Sequence, residues 1–351
     1  MIIYLALAIF PILLGVLFPK LKTDRQQKIK FYLICGAVIL FVLGLRHYSL
    51  GSTDTLHYYN AMKRALASRT WDKFYNPDLY EAGSQLFIFV MSRIFNHPQW
   101  LLVISSLVFI VSIFYFVDHN SDDIPLSITL YLTLGLMMFE MQGMRQSIAM
   151  SVCLFAYEQA KNKHLVRFIA LVLLAITFHQ TAIVFLPVYF ICRMKFSKKN
   201  LMLMCIAAII VVDNAALIME IANAYFDRAY TDAVDQGGFV ALLIYVIVLV
   251  LSLVLDKQIK NNKLQTPLLY ILIIGFVSYI LRYFGARAAE RISFYFVFSQ
   301  LALLPNAIRT IVKDERFMMR SAIIVLAIAL MAYRLYGSEF VPYMFFWEGR
   351  L

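Results

Sequence analysis

Residues 237–255 read GGFVALLIYVIVLVLSLVL and contain no charged side chain. An apolar helix of about 20 residues spans the hydrocarbon core of a bilayer. Comparable runs fill the chain from end to end, and hydrophobic residues make up 62% of its 351 positions. A soluble protein of this size cannot bury so much apolar surface. The sequence therefore predicts an all-α polytopic membrane protein, one domain over 1–351, with about 12 transmembrane helices near 2–18, 31–46, 84–95, 100–117, 124–140, 144–158, 165–191, 201–219, 237–255, 265–283, 291–309 and 320–336.

The charges between the apolar runs predict the orientation. Three basic segments should be cytoplasmic under the positive-inside rule, namely Lys20–Lys30, Arg193–Lys199 and Asp256–Lys263. The acidic stretch Glu220–Asp235 should face outside, which gives external termini, external loops at 46–83 and 220–237, and an external turn at 284–290. The net charge of +11 then reflects cytoplasmic loops near anionic lipid, and nucleic acid is not expected as a partner.

The middle of the chain requires a broken span. The basic segment Glu158–Arg167 favours the cytoplasm, whereas simple alternation of spans places it outside. The conflict disappears if the stretch 168–192 is two short segments broken at His179–Thr181, with Pro187 nearby. The short run 84–95 must then be re-entrant.

The external loop 46–83 contains a predicted amphipathic helix over about 55–68. Leu56, Tyr59, Met62 and Leu66 recur at helical spacing with polar residues between them. This pattern is typical of a helix that lies on the membrane surface.

Arg46 and Asp54 form the first candidate cluster, at the end of a span and at the start of that helix. Arg46 could hold Asp54 or a phosphate group, or it could extend to the interface as a snorkelling side chain. Asp54 could act on a substrate or serve as a helix N-cap.

Arg145, Gln146 and His179 form a second candidate group. A positive charge at a helix start interacts unfavourably with the helix dipole, which argues against a purely structural role for Arg145. Snorkelling to the interface is the alternative. Its planar fork suits a pyrophosphate. His179 lies as far after the basic loop 158–167 as Arg145 lies before it, so a helical hairpin returns both to one outer depth. The alternative for His179 is a hydrogen bond to a neighbouring helix.

A cluster of arginines forms the third candidate group. Arg282, Arg287 and Arg291 lie within ten residues, with one acid, Glu290, among them, and Tyr295 follows one turn later. This density favours an anion such as a lipid phosphate over a generic interfacial charge belt. No external cluster supplies the two or three acids that a divalent metal prefers, so metal-independent chemistry without a cofactor is expected.

These residues resemble the EpsG family of membrane polysaccharide polymerases, within the broader Wzy class. The resemblance covers roughly 40–310 and is carried by short motifs whose order is more specific than any one of them. They are Gly44-x-Arg46 with Gly51-x-x-Asp54 and Tyr58, Arg145-Gln146, Phe178-His179-Gln180 with Pro187, and Arg291 with Tyr295 before Leu304-Pro305.

The resemblance implies a fold akin to C-type membrane glycosyltransferases and O-antigen ligases. It implies transfer of a growing glycan from undecaprenyl pyrophosphate to the non-reducing end of a new lipid-linked repeat unit, outside the bacterial cytoplasmic membrane. A flippase and a chain-length regulator would be partners. His179, Asp54 and Arg145 are then the catalytic candidates, while Tyr58 and Trp71 would stack on the acceptor glycan. The expected pyrophosphate or substrate ligands are Arg46, Gln146, Arg282, Arg287, Arg291, Tyr58 and Tyr295.

Three other functions are compatible with the same residues. A lipid-linked oligosaccharide flippase would also hold cations for pyrophosphate, although transporters usually show repeats and a central polar cavity. A glycan ligase performs sibling chemistry, and a membrane acyltransferase is compatible with a membrane histidine.

Overall fold

The computed structural model describes residues 1–51, 53–214, 217, 220, 238–255, 265–284 and 287–348. Regular structure in these residues is helical, and one isolated bridge pairs Arg46 with Phe345. The helices are α1 (Ile2–Leu17), α2 (Arg25–Gly44), α3 (Thr53–Ala67), α4 (Trp71–Phe74), α5 (Ala82–Ile94), α6 (Gln99–Asn120), α7 (Ile124–Thr133), α8 (Leu136–Gln142), α9 (Met144–Lys161), α10 (Leu165–Phe178), α11 (Val188–Ile191), α12 (Lys198–Asp213), α13 (Phe239–Leu255), α14 (Gln265–Ile280), α15 (Arg287–Val297), α16 (Gln300–Arg309) and α17 (Lys313–Leu335), with 3₁₀ turns at Gln180–Phe185 and Leu281–Phe284.

Within the part of the chain that the structure describes, four helices are long and apolar enough to cross a membrane, and a fifth crossing results if the bent pair α7–α8 is one span. The chain is thus an all-helical membrane protein. The predicted loop 220–237, apart from Glu220, and the basic segment Asp256–Lys263 lie outside the described residues.

Polar side chains define where several helices begin. The Asp24 carboxylate accepts from the backbone N–H of Gln26 at 2.8 Å, and Asp123 accepts from Leu126 at 3.2 Å. Each contact satisfies an N–H group that has no partner within its helix. The end of α7 is set differently, because Gly135 adopts a φ of 106° and the chain bends by 50° before α8.

One end of the helix bundle gathers the basic segments, and we call it the basic end. Ion pairs and hydrogen bonds join them there: Lys28 to Asp118 at 2.8 Å, Lys161 to Asn120 at 2.9 Å and Arg320 to Asp123 at 2.6 Å. Arg193 also donates to the carbonyl of Ala160 at 3.4 Å. The segments 20–30, 158–167 and 193–199 therefore lie on the same side of the bundle, as the orientation prediction requires.

The opposite end, called the cavity end, joins α2, α6 and the C-terminal tail. Gln99 donates to the carbonyls of Gly44 at 2.7 Å and Arg46 at 2.9 Å. His47 donates through its backbone to Met344 at 2.9 Å. Helix α5 has both of its ends here, since Ser84 bonds the carbonyl of Phe178 and Arg93 bonds that of Ser68. A run that starts and ends on one side is what a re-entrant 84–95 requires.

The stretch 165–191 is broken where the sequence predicts it. Helix α10 ends at Phe178, and His179 takes an extended conformation with φ −154° and ψ 115°. A 3₁₀ turn and α11 then lead back towards the basic end, where Tyr189 bonds the carbonyl of Lys163 at 3.3 Å. Helix α10 and the segment 180–191 therefore form a hairpin. This hairpin allows the basic loop 158–167 to lie at the basic end.

The interpretation of α3 as a helix on the lipid surface needs correction. Met62 is fully buried, and it packs with Tyr58, Ile88 and Leu101 in a cluster formed by α3, α5 and α6. Leu56, which the pattern assigned to the same apolar face, is exposed. The protein covers this face because α5 returns across the cavity end beneath α3.

Candidate active site

A cavity of about 850 Å³ opens at the cavity end of the bundle. It brings together residues from six separate parts of the chain, which only the tertiary fold makes neighbours. The predicted site residues that line it are Asp54, Tyr58, Arg145, Gln146, His179, Arg282 and Arg291.

Arg145 is held by a cage of polar and aromatic groups in the first turn of α9. Its guanidinium forms an ion pair with Glu81, and its Nε donates to the Tyr58 hydroxyl at 3.2 Å. The Tyr80 ring centroid lies 4.5 Å from the guanidinium carbon. The side chains of Arg145 and Glu81 are only 8% and 13% exposed, so snorkelling to the interface is not its role.

Glu81 is a site residue that the sequence reasoning missed. Its other oxygen accepts from the backbone N–H of Gln180 at 3.3 Å, so one carboxylate joins Arg145 to the break after α10. The available signal was an acid immediately before the apolar run of α5, in the same external loop as Asp54. Its partner is 64 residues away, which no local pattern reveals.

His179 lies at the break and is almost fully buried. Its Nδ1 is 2.6 Å from the Thr181 hydroxyl, and that hydroxyl donates to Tyr295 at 3.3 Å. The Thr181 hydroxyl therefore links the His179 imidazole to the buried Tyr295. The His179 side chain also lines the cavity.

Asp54 and Arg291 face each other across the cavity at 3.7 Å, with side chains 40% and 44% exposed. Helix α3 begins at Thr53, so Asp54 lies in its first turn rather than at the N-cap. Gln146 fixes this wall by donating to the Arg291 carbonyl at 2.5 Å. The pair is longer than a hydrogen bond, so an incoming anion can replace the carboxylate on Arg291.

Arg282 belongs to a tighter pair. Its Nη1 lies 2.7 Å from the Glu290 carboxylate and 3.3 Å from the Tyr279 hydroxyl. Both partners line the cavity. The backbone of Arg287 starts α15, but its side chain lies outside the described residues.

Three predicted residues do not reach the cavity. Arg46 is 1% exposed and donates to the carbonyls of Leu43 and Met141, the latter at 3.2 Å, so it holds neither Asp54 nor a phosphate. It lies behind the wall because α6 and α8 enclose the end of α2. Tyr295 is 1% exposed, is not among the residues lining the cavity, and contacts the Thr181 hydroxyl at 3.3 Å.

Trp71 is likewise not a cavity residue. It stacks on Tyr75 with ring centroids 5.0 Å apart and meets Phe89 edge-on at 5.6 Å. Its ring therefore packs α4 against α5 and is not available for the acceptor glycan at this cavity.

Arg334 and Glu339 complete the charged lining, and the sequence reasoning assigned neither. Arg334 belongs to the last turn of α17, where a charge at the end of an apolar run is the usual interfacial pattern. Because this pattern is common, it did not mark Arg334 as a site residue.

Burial raises the pKa of Tyr58 against the opposing effect of the Arg145 guanidinium. The phenol therefore stays protonated at neutral pH. Since its oxygen accepts from Arg145, its hydrogen remains available to a ligand.

Searches for related proteins give one result. The EpsG family model matches residues 4–345, which is nearly the whole chain. Neither the curated proteins nor the solved structures that were searched give a match. The match includes every residue of the cavity described above, and the chain belongs to the EpsG family.

Proposed function

We propose that the chain is a polysaccharide polymerase that extends lipid-linked glycans. It transfers a growing glycan from undecaprenyl pyrophosphate to the non-reducing end of a new lipid-linked repeat unit, on the outer face of the bacterial cytoplasmic membrane. Family membership supports polymerisation of a polysaccharide in general terms. The observation that carries the finer proposal is the cavity that joins Arg145, Arg291, Asp54 and His179.

The cations suit a pyrophosphate leaving group. When the glycosidic bond to the carrier breaks, negative charge develops on the departing phosphate oxygen, and fixed donors at that point lower the barrier. Arg145 is oriented by three groups, so its fork is preorganised. Arg291 is held loosely by Asp54 and can turn to the same anion. Tyr58 adds a neutral hydroxyl donor beside Arg145.

His179 supplies the base for the attacking hydroxyl. The acceptor oxygen forms a bond with the anomeric carbon of the growing glycan, and the carbon–oxygen bond to undecaprenyl pyrophosphate breaks. The hydroxyl proton moves to the imidazole of His179, whose orientation is fixed by the contact between Nδ1 and Thr181. Asp54 is the second candidate for this proton and orients Arg291 in either case.

The reaction is proposed to need no metal. Among the described residues, no three side chains of the histidine, cysteine, aspartate or glutamate type lie close enough to hold an ion. The developing charge is instead assigned to the guanidinium groups of the cavity.

The proposed topology follows from the two ends of the bundle. Placing the basic end in the cytoplasm leaves the cavity outside. Successive helix ends then alternate between the two sides through twelve crossings: α1, α2, α6, α7–α8, α9, α10, the 3₁₀ turn with α11, α12, α13, α14, α15–α16 and α17. Helix α5 is re-entrant in this count. We propose that this arrangement of helices is similar to that of C-type glycosyltransferases.

Partners follow from the substrate. A flippase must deliver repeat units to the outer face, since they are assembled on the inner face, and a chain-length regulator would limit extension. The bilayer holds the undecaprenyl chains of both substrates.

The test is a deletion strain complemented with variants, in which the size and membrane side of lipid-linked glycans are measured. Wild type and His164→Asn, a matched control at the basic end, should restore long chains. His179→Gln should leave single repeat units on the outer face. Repeat units retained on the inner face would indicate a flippase and refute the proposal. Polymer that still forms in the His179→Gln strain but stays on its carrier would indicate a ligase, and polymer that forms there without acyl groups would indicate an acyltransferase.

A further inference from the structure

Arg334 lines the same cavity as Arg145 and comes from a different helix. It is in the last turn of α17 and projects inward to the bend between α7 and α8. Its Nη1 lies 2.8 Å from the point where a Cβ on Gly135 would stand. An interfacial arginine that merely snorkels turns outward to water or headgroups. Arg334 instead lines the cavity beside the bend at Gly135.

The pairing of the cavity arginines distinguishes Arg334. Arg145 pairs with Glu81, Arg282 with Glu290, and Arg291 with Asp54. Glu290 and Tyr279 lie close enough to interact electrostatically with Arg334. Arg334 nevertheless forms no hydrogen bond or ion pair with any residue that the structure describes. A guanidinium carries five N–H donors, and holding it half-buried without acceptors costs free energy unless water or a ligand supplies them.

The reaction itself indicates which ligand this is, and this step rests on the proposed function. A polymerase binds two lipid-linked substrates, each with a pyrophosphate. The donor pyrophosphate is attached to the reacting carbon, so it must lie beside the base. Glu81 joins Arg145 to the backbone of Gln180, the residue after His179, so the donor pyrophosphate is assigned to Arg145. The acceptor reacts at its non-reducing end, so its pyrophosphate lies one repeat unit away from His179.

We propose that Arg334 binds the pyrophosphate of the acceptor and so sets the distance from carrier to reacting hydroxyl. Gly135 contributes by leaving the space at the bend open, since any side chain there would meet the guanidinium. Arg334 is a binding residue here and does not touch the reacting atoms.

The first readout is ligand binding without catalysis. Farnesyl pyrophosphate serves as the probe, titrated into the purified full chain in detergent. Wild type should bind two equivalents. Arg334→Gln should retain one and weaken the other by roughly 10- to 100-fold, the loss expected for a charge-assisted contact. Arg309→Gln removes the same charge at the basic end and should bind as wild type does.

The second readout is acceptor preference. Wild type should prefer a lipid-linked acceptor over the same oligosaccharide without pyrophosphate, and Arg334→Gln should lose that preference while KM for the donor is unchanged. Arg334→Lys, which keeps the charge, provides an intermediate value if the glutamine variant does not fold. Two full-affinity sites in the folded Arg334→Gln variant would overturn the inference even if the protein polymerises. Failure of wild type to polymerise would instead refute the proposed function, and the binding result would still decide whether Arg334 holds a pyrophosphate.

Discussion

Replacing Arg145 by lysine tests the arrangement at the centre of the cavity. Lysine keeps a positive charge opposite Glu81 but loses the Nε that donates to Tyr58 and the planar group that lies 4.5 Å from the Tyr80 centroid. The substitution therefore removes orientation and bidentate binding while it preserves charge.

The magnitude follows from the contacts that disappear. One hydrogen bond to a charged group contributes about 1.5–3 kcal/mol, and the contact with an aromatic face about 0.5–1 kcal/mol. Part of this free energy also stabilises the resting enzyme, so we expect about 2 kcal/mol to be lost from the transition state. That corresponds to a decrease of roughly 30-fold in kcat/KM.

The assay is the initial rate of glycan extension on lipid-linked repeat units, normalised to the amount of folded protein in the membrane. Arg93→Lys is the matched control, because Arg93 also binds backbone carbonyls, including that of Ser68 at 2.8 Å, and lies 4.7 Å from the Phe89 centroid. Arg93 is not among the residues lining the cavity. Arg93→Lys should keep the full specific rate. A full rate in Arg145→Lys at normal abundance would refute the oriented fork.

Three further changes separate the roles of neighbouring groups. Glu81→Gln removes the carboxylate from a nearly buried ion pair, so abundance or the thermal unfolding midpoint should fall, with a cost of about 3 kcal/mol; an unchanged midpoint would show that the pair contributes little. His179→Gln should lower kcat by roughly 100-fold with little change in donor KM, as expected for loss of a general base, whereas His164→Asn should not; equal effects would exclude His179 as the base. Gly83→Ala should destabilise the protein by about 1–3 kcal/mol, because the new methyl would stand 2.3 Å from the Thr177 hydroxyl and 2.7 Å from its carbonyl oxygen; a normal melting temperature would contradict the close approach of α5 to α10.

The pH profile has a separate expectation. Since burial raises the pKa of Tyr58, its phenol does not ionise around neutral or mildly alkaline pH. Tyr58→Phe should therefore lower the rate by a constant factor over that range. A factor that disappears as the pH rises would mean that Tyr58 titrates and that its ordinary pKa is retained.

The positions of the helices can be predicted from the sequence, because helix formation depends mainly on residues that are close together in the chain. Apolar runs predict helices, and the polar triplet at His179–Thr181 predicts the break that the structure has. The meeting of Arg145 and His179 in one cavity is also predictable, since basic segments on one side fix the depth of residues at the opposite helix ends.

Depth alone does not say which way a side chain points. Arg46 and Arg334 both lie at helix ends on the cavity side, yet Arg46 is enclosed by α6 and α8 while Arg334 faces the cavity. The packing of neighbouring helices determines the direction of each side chain, and this packing cannot be predicted from a single sequence. Glu81 was missed for a related reason, because its importance arises only from a partner distant in the chain.

Reconstitution of the purified chain in vesicles, with lipid-linked repeat units on one side and a chelator present, tests the proposed polymerisation most directly. A ladder of longer lipid-linked glycans, with one undecaprenyl pyrophosphate released per added unit, is the predicted result. Movement of intact repeat units across the bilayer, with neither a ladder nor released carrier, would contradict it.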